Sequence, residues 1–156
     1  MHRFARLAAP ILAAMVAAAC STVAPGEATT ADAPAARQMT IYRSPDCSCC
    51  HQWAAIATVA GWTVETVDVP DMASFKAETG VPTDAASCHT TLVSGYFVEG
   101  HVPLAAVDRL LAERPSIDGI AVPGMPAGSP GMGGVQEGPL EVVAVSGGEI
   151  TPFGSY

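Results

Sequence analysis

Three of the chain's five cysteines stand within four residues, Cys47-Ser48-Cys49-Cys50, with His51 next, and a fourth stands in Cys88-His89. Just before the cluster, Met39-Thr40-Ile41-Tyr42-Arg43 alternates as a strand does, and Ser44-Pro45-Asp46 is a turn and helix-start signal. Trp53, Ile56, Ala57 and Ala60 then recur at helical spacing, and Gly61 supplies the stop. The thiols are thereby placed in a strand-to-helix junction and in the first turn of the helix. Unpaired N–H groups and the positive end of the helix dipole favour thiolate over thiol at such a place. Any fold this chain adopts has to present that junction.

Thiolate is a soft donor and neutral imidazole a borderline one, so a site built from both selects Cu(I), Zn(II) or an iron–sulfur centre over hard cations. The same thiols can make and break disulfides. A purely structural staple fits poorly, because it gains most by closing a long loop, and three of the four thiols are clustered. Cys49 and Cys50 are adjacent and could bridge only through a strained ring. Metal binding and thiol redox chemistry therefore both stay open at this point.

The remaining elements follow from pattern. Trp62-Thr63-Val64-Glu65-Thr66-Val67-Asp68 reads as a second strand, and Asp71 caps a short helix carrying Met72 and Phe75 that ends by Gly80. Thr90 to Val93 and Tyr96 to Glu99 are two strands about a Ser94-Gly95 turn. Pro103 opens a helix with Leu104, Val107, Leu110 and Leu111 on its inner face and Pro115 beyond its end. Strand, helix, strand, helix, strand, strand, helix is the order of an α/β, thioredoxin-like domain: a central mixed four-stranded sheet flanked by helices. A Gly/Pro/Met loop and a β-hairpin, Glu141 to Val145 and Glu149 to Phe153 about Gly147-Gly148, complete the chain. Thioredoxins place a cis-proline before the third strand. Here Cys88-His89 stands there, and extra thiolate and imidazole suit a soft metal better than a peptide substrate.

The N-terminus speaks to compartment. Arg3 and Arg6 precede an apolar run from Leu7 to Ala19, too short to span a bilayer comfortably, and Cys20 follows. Residues 1–19 read as an export signal with acylation at Cys20, the alternative being ordinary cleavage after an Ala-x-Ala triplet. Residues 20–37 read as a flexible linker and 38–156 as the folded domain. The chain carries −8; removing residues 1–19 takes away Arg3 and Arg6 and no acid, leaving five basic against 15 acidic residues, or −10. An acidic exported domain is a poor partner for nucleic acid. Its membrane contact is expected only through the lipid anchor.

Longer motifs carry a resemblance. Tyr42-Arg43-Ser44-Pro45-Asp46-Cys47-Ser48-Cys49-Cys50, Gly80-Val81-Pro82, Ser87-Cys88-His89-Thr90, Glu99-Gly100-His101-Val102-Pro103, and Val122-Pro123-Gly124-Met125-Pro126 through Gly128-Ser129-Pro130-Gly131-Met132 are similar to the CopG-like family of small exported metal-binding proteins. The likeness runs from about Met39 to Gly133. It implies a thioredoxin-like fold, copper as the metal, and a role in periplasmic copper resistance, with a copper exporter or another periplasmic copper protein as partner. The family's ligand motifs map onto Cys47, Cys49, Cys50, Cys88 and His89. His51 follows the cluster where the family often has Lys or another polar residue.

Donor counts then suggest more than one Cu(I). Structural zinc sites usually space two pairs of ligands, whereas this pattern is three plus one. Adjacent thiolates chelate one tetrahedral ion poorly but can bridge neighbouring ions. Interconversion of Cu(I) and Cu(II) is then an expected activity. The alternatives are a thiol–disulfide oxidoreductase using Cys47 and Cys50, and a non-catalytic copper metallochaperone. Met125 and Met132, in a glycine-rich loop, are either soft thioether ligands or packing groups. His101 is either a ligand or a capping hydrogen-bond partner. Met72 and Trp53 are read as core.

Overall fold

The computed structural model describes residues 37–156. The export segment, Cys20 and all but the last residue of the expected linker lie outside the described residues. Strand β1 (Gln38–Arg43) runs into helix α1 (Ser48–Val59), which returns the chain to a parallel strand β2 (Thr63–Asp68). Helix α2 (Met72–Glu78) and a single 3₁₀ turn, Thr83–Ala85, lead to β3 (Thr90–Val93) and β4 (Tyr96–Glu99), an antiparallel pair of which β3 also lies antiparallel to β1. Helix α3 (Leu104–Glu113), β5 (Gly119–Ala121), β6 (Glu141–Ser146) and β7 (Glu149–Ser155) follow.

The described residues form one mixed sheet of seven strands, ordered β2-β1-β3-β4-β5-β6-β7. This corrects the expected sheet of four. The β2-β1-β3-β4 set is present, but β5 extends it by pairing parallel to β4 and antiparallel to β6. The C-terminal hairpin thereby joins the central sheet. Gly119 makes this close approach feasible, because a Cβ there would fall on the Phe97 carbonyl and ring. The hairpin turns at Gly147 and Gly148, both at positive φ (57° and 85°), the conformation that tight two-residue hairpin turns demand.

The strand boundaries at Thr90–Val93 and Tyr96–Glu99 match the expectation residue for residue. Helix α1 differs in its facing. Cys50, Trp53, Ala54 and Ala57 are buried, whereas Ile56 and Ala60 face solvent. In α2, Asp71 caps as expected by accepting from the Ser74 N–H at 3.0 Å. The buried residue of that helix, however, is Lys76, while Phe75 stacks on Tyr42 with ring centroids 4.4 Å apart. In α3, Ala106, Val107 and Leu110 are buried, with Leu104 and Leu111 partly buried against the same core. No helix among the described residues is long and apolar enough to cross a membrane.

Candidate metal centre

The loop that delivers the thiols is organised by a buried arginine. Arg43 ends β1 and pairs with Asp68 of β2 at 2.9 Å. Its Nη1 donates to the carbonyls of Ser44 and Pro45 at 3.1 and 3.0 Å. With the Cys47 N–H donating to the Ser44 carbonyl at 3.1 Å, the turn is held from both sides. Cys47 is then the N-cap of α1, and Cys49 and Cys50 lie in its first turn. Cys50 points into the core and is fully buried, while Cys47 and Cys49 are half-buried.

Cys47 and Cys50 form a disulfide, and Cys49 and Cys88 are free thiols. The Cys49 sulfur lies 3.5 Å from that of Cys47, where the thiol can donate to the disulfide sulfur. Cys88 and His89 arrive from the segment before β3. The Cys88 sulfur is 3.4 Å from His89 Nδ1 and 2.9 Å from His101 Nε2.

His101 follows β4, and its tautomer can be read from its partners. Its Nδ1 lies 2.7 Å from the Pro130 carbonyl, which only accepts, so Nδ1 carries the proton. Nε2 then presents its lone pair to Cys88. Burial pulls His101 below the ordinary histidine range, partly opposed by the Pro130 carbonyl, in keeping with a neutral ring. His89 is drawn down to about 3, first by burial and then by the charges of His101 and Lys76. Its Nε2 is buried with no hydrogen-bond partner. Cys88 is pushed up to about 12, chiefly by burial and next by the neighbouring Cys49. Both groups are neutral near pH 7, and neutral imidazole is the form that binds a metal.

Two four-donor groups result. The ligand atoms of Cys47, Cys49, Cys50 and Cys88 all lie within 4.8 Å of one another, and so do those of Cys50, Cys88, His89 and His101. Cys50 and Cys88 belong to both. The expected residues Cys47, Cys49, Cys50, Cys88 and His89 are thus brought together, and His101 joins them. His51 enters neither group and faces solvent. Met125 is 59% exposed. Met132 is half-buried in the loop that covers the site.

That loop is seated by contact. A Cβ on Gly131, whose φ is +83°, would stand 2.7 Å from the Trp53 nitrogen and 3.2 Å from the Cys49 carbonyl. Trp53 is more than core filling. Its Nε1 donates to the Val102 carbonyl at 3.0 Å, and its ring lies 5.1 Å from that of His89.

Comparison with known proteins places this arrangement. Two solved structures of a copper resistance protein CopG, form 1 and form 2, are each 38% identical to this chain. They superpose with TM-scores of 0.70 and 0.71, cover 76% of this chain, and are themselves covered over 96% and 97% of their lengths. The chain belongs to the CopG-like family. The family described as "Protein of unknown function, DUF411" matches residues 85–132. Among curated proteins nothing matches. The matched stretch contains the CopG-like segments that bring Cys88, His89, His101 and the Pro130-Gly131 loop, while the Cys47–Cys50 cluster lies upstream of it.

Sequence reasoning missed three contributors. Arg43 reads as an ordinary strand residue, and Glu99 as part of a motif without a role. Lys76 is the chain's one lysine, yet it is 8% exposed and paired with the fully buried Glu99 at 2.5 Å. No periodicity argument places a lysine inside; its pairing with a glutamate 23 residues away becomes visible only in the fold.

Proposed function

We propose that this chain is a copper-binding protein of the periplasm that contributes to copper resistance and binds several Cu(I) ions through its clustered thiols and imidazoles. One observation carries the reading: two four-donor groups share Cys50 and Cys88. Two neighbouring soft ions would use those sulfurs in common. The donor set fits copper. It has four sulfurs and two neutral imidazoles, with no carboxylate among them. The oriented Nε2 of His101 and a ring nitrogen of His89, whose Nδ1 stands 3.4 Å from the Cys88 sulfur, are lone pairs available to a cation. The Pro130 carbonyl is then the outer partner that fixes the His101 ring. Met132 is a further candidate donor, and Met125 and His51 are weaker ones on exposure.

Within this reading residues 1–19 direct export, Cys20 is acylated, residues 20–37 are a tether, and the β2-β1-β3-β4 part of the sheet with its helices is a thioredoxin-like unit. A copper exporter or another periplasmic copper protein is the expected partner. Interconversion of Cu(I) and Cu(II) is the expected activity. The Cys47–Cys50 disulfide withholds two donors, so filling the whole donor set requires its two-electron reduction by an external thiol. Cys88 keeps its proton until a metal displaces it, so loading releases protons.

The test is anaerobic Cu(I) titration of the reduced protein against a chromophoric chelator, repeated with Cys49→Ser and Cys88→Ser. Tight binding of several ions, weakened in both variants, is expected. Saturation at one ion per chain would remove the shared-sulfur version. The Cys47–Cys50 disulfide at a helix N-terminus favours a second reading, thiol–disulfide exchange with Cys47 attacking and Cys50 resolving. Insulin reduction that survives in Cys49→Ser, with no copper affinity, would select it. A metallochaperone would bind copper reversibly and show no turnover in either assay.

A further inference from the structure

One buried charged pair has no part in the donor set. Glu99, at the end of β4, is wholly buried, and its carboxylate collects three donors. The Ser87 N–H reaches Oε1 at 2.6 Å, Lys76 Nζ reaches Oε1 at 2.5 Å, and the Thr90 hydroxyl donates to Oε2 at 2.6 Å. Lys76 Nζ also donates to Thr90 Oγ1 at 3.1 Å, closing a ring of Lys76, Thr90 and Glu99. Ser87 and Thr90 flank Cys88-His89 on either side. The same strand end leads through Gly100, whose N–H donates to the His89 carbonyl at 2.8 Å, into His101. A Cβ on Gly100 would collide with the Ser87 side chain, so the two segments lie as close as backbone permits.

We infer that the Lys76–Glu99 pair is a positioning device for the metal centre: its carboxylate clamps Ser87 and Thr90 so that Cys88 and His89 are held against His101. The inference rests on the copper reading for its function but on hydrogen bonds alone for its geometry. An isolated buried ion pair is a poor source of stability, since apolar residues of similar size often replace one without loss. Here the carboxylate also takes the backbone N–H beside a ligand, which an apolar residue cannot do.

Two double variants separate clamping from charge. Lys76→Met/Glu99→Gln removes both charges but keeps an acceptor for Ser87 and a partner for Thr90. Lys76→Met/Glu99→Leu removes the acceptor as well. Cu(I) affinity in the full chain is expected to stay within a few-fold of wild type in the first. It is expected to fall about 10- to 100-fold in the second, the usual consequence of losing an outer-shell partner. Equal affinity in the two double variants would overturn the clamp. So would a comparable loss in Leu110→Ala, which weakens the core away from these contacts. Should the Glu99→Leu form not fold, Thr90→Val serves: it removes the donor to Oε2 and is expected to weaken copper binding several-fold, and unchanged affinity would overturn the clamp.

A readout without metal distinguishes failure of the clamp from failure of the copper reading. In the full chain with Cys20→Ser and Cys49→Ser and the Cys47–Cys50 disulfide closed, Cys88 is the one thiol left. Its alkylation by iodoacetamide is expected to be faster when Lys76→Met/Glu99→Leu is added than with Lys76→Met/Glu99→Gln. Equal rates would overturn the clamp whether or not the protein binds copper.

Discussion

Acid should destabilise the metal-free protein chiefly through His89. The ring is fully buried, packs against Trp53 and His101, and has an Nε2 with no partner. Its folded value lies at about 3 against 6.5 for an ordinary histidine. The unfolded chain therefore takes up a proton first as pH falls. Stability is full above about 6.5 and is lost progressively toward 3. Linkage over that interval gives a loss of about 2 kcal/mol at pH 5 and about 5 kcal/mol below pH 3. Urea denaturation followed by tryptophan fluorescence at pH 7 and pH 5, with the disulfide closed, measures it. His89→Phe keeps an aromatic ring beside Trp53 and cannot protonate. His101, itself depressed by burial, remains in both chains, so the difference between them reports His89 together with its coupling to His101. Wild type should lose about 2 kcal/mol more than His89→Phe between the two pH values. Equal losses would mean that His89 is solvated or paired and would refute the burial argument.

Two further outcomes are expected. Gly131→Ala places a Cβ against the backbone of α1 at a positive φ, and should destabilise by about 1–3 kcal/mol; thermal unfolding at wild-type stability would show that the covering loop is not seated on α1. His51→Ala and Met125→Leu alter groups that face solvent outside both four-donor sets, so Cu(I) stoichiometry by chelator competition should not change; loss of an ion in either would add that residue to the site.

Much of the fold was readable because local pattern and tertiary use agree. The β3–β4 hairpin is bounded by Ser94-Gly95, whose positive φ values (48° and 88°) leave little freedom in where the strands end. The C-terminal hairpin was readable for the same reason at Gly147-Gly148. Strand β5 was not. Gly119-Ile120-Ala121 is three residues long, begins with glycine and has too few side chains to alternate. Its strand character comes from β4 on one side and β6 on the other. Of the helically spaced set in α1, Trp53 and Ala57 are buried, but Ile56 is as apolar as a core residue and yet 39% of it meets solvent.

For the site, chain order alone determined that thiols would crowd the start of α1, since a strand, a Ser-Pro-Asp turn and a helix leave them nowhere else to stand. It also marked Cys88-His89 as chemistry-bearing. What it left open was settled by distances between segments far apart in sequence. Only the fold sets His101 Nε2 2.9 Å from Cys88, turns its Nδ1 to Pro130, closes Cys47 on Cys50, and buries Lys76 with Glu99. The physical reason is that local pattern reports periodicity and turn chemistry, which act over a few residues. The role of a histidine or a buried charge depends on which partner lies within about 3 Å of it, and only the packed chain decides that.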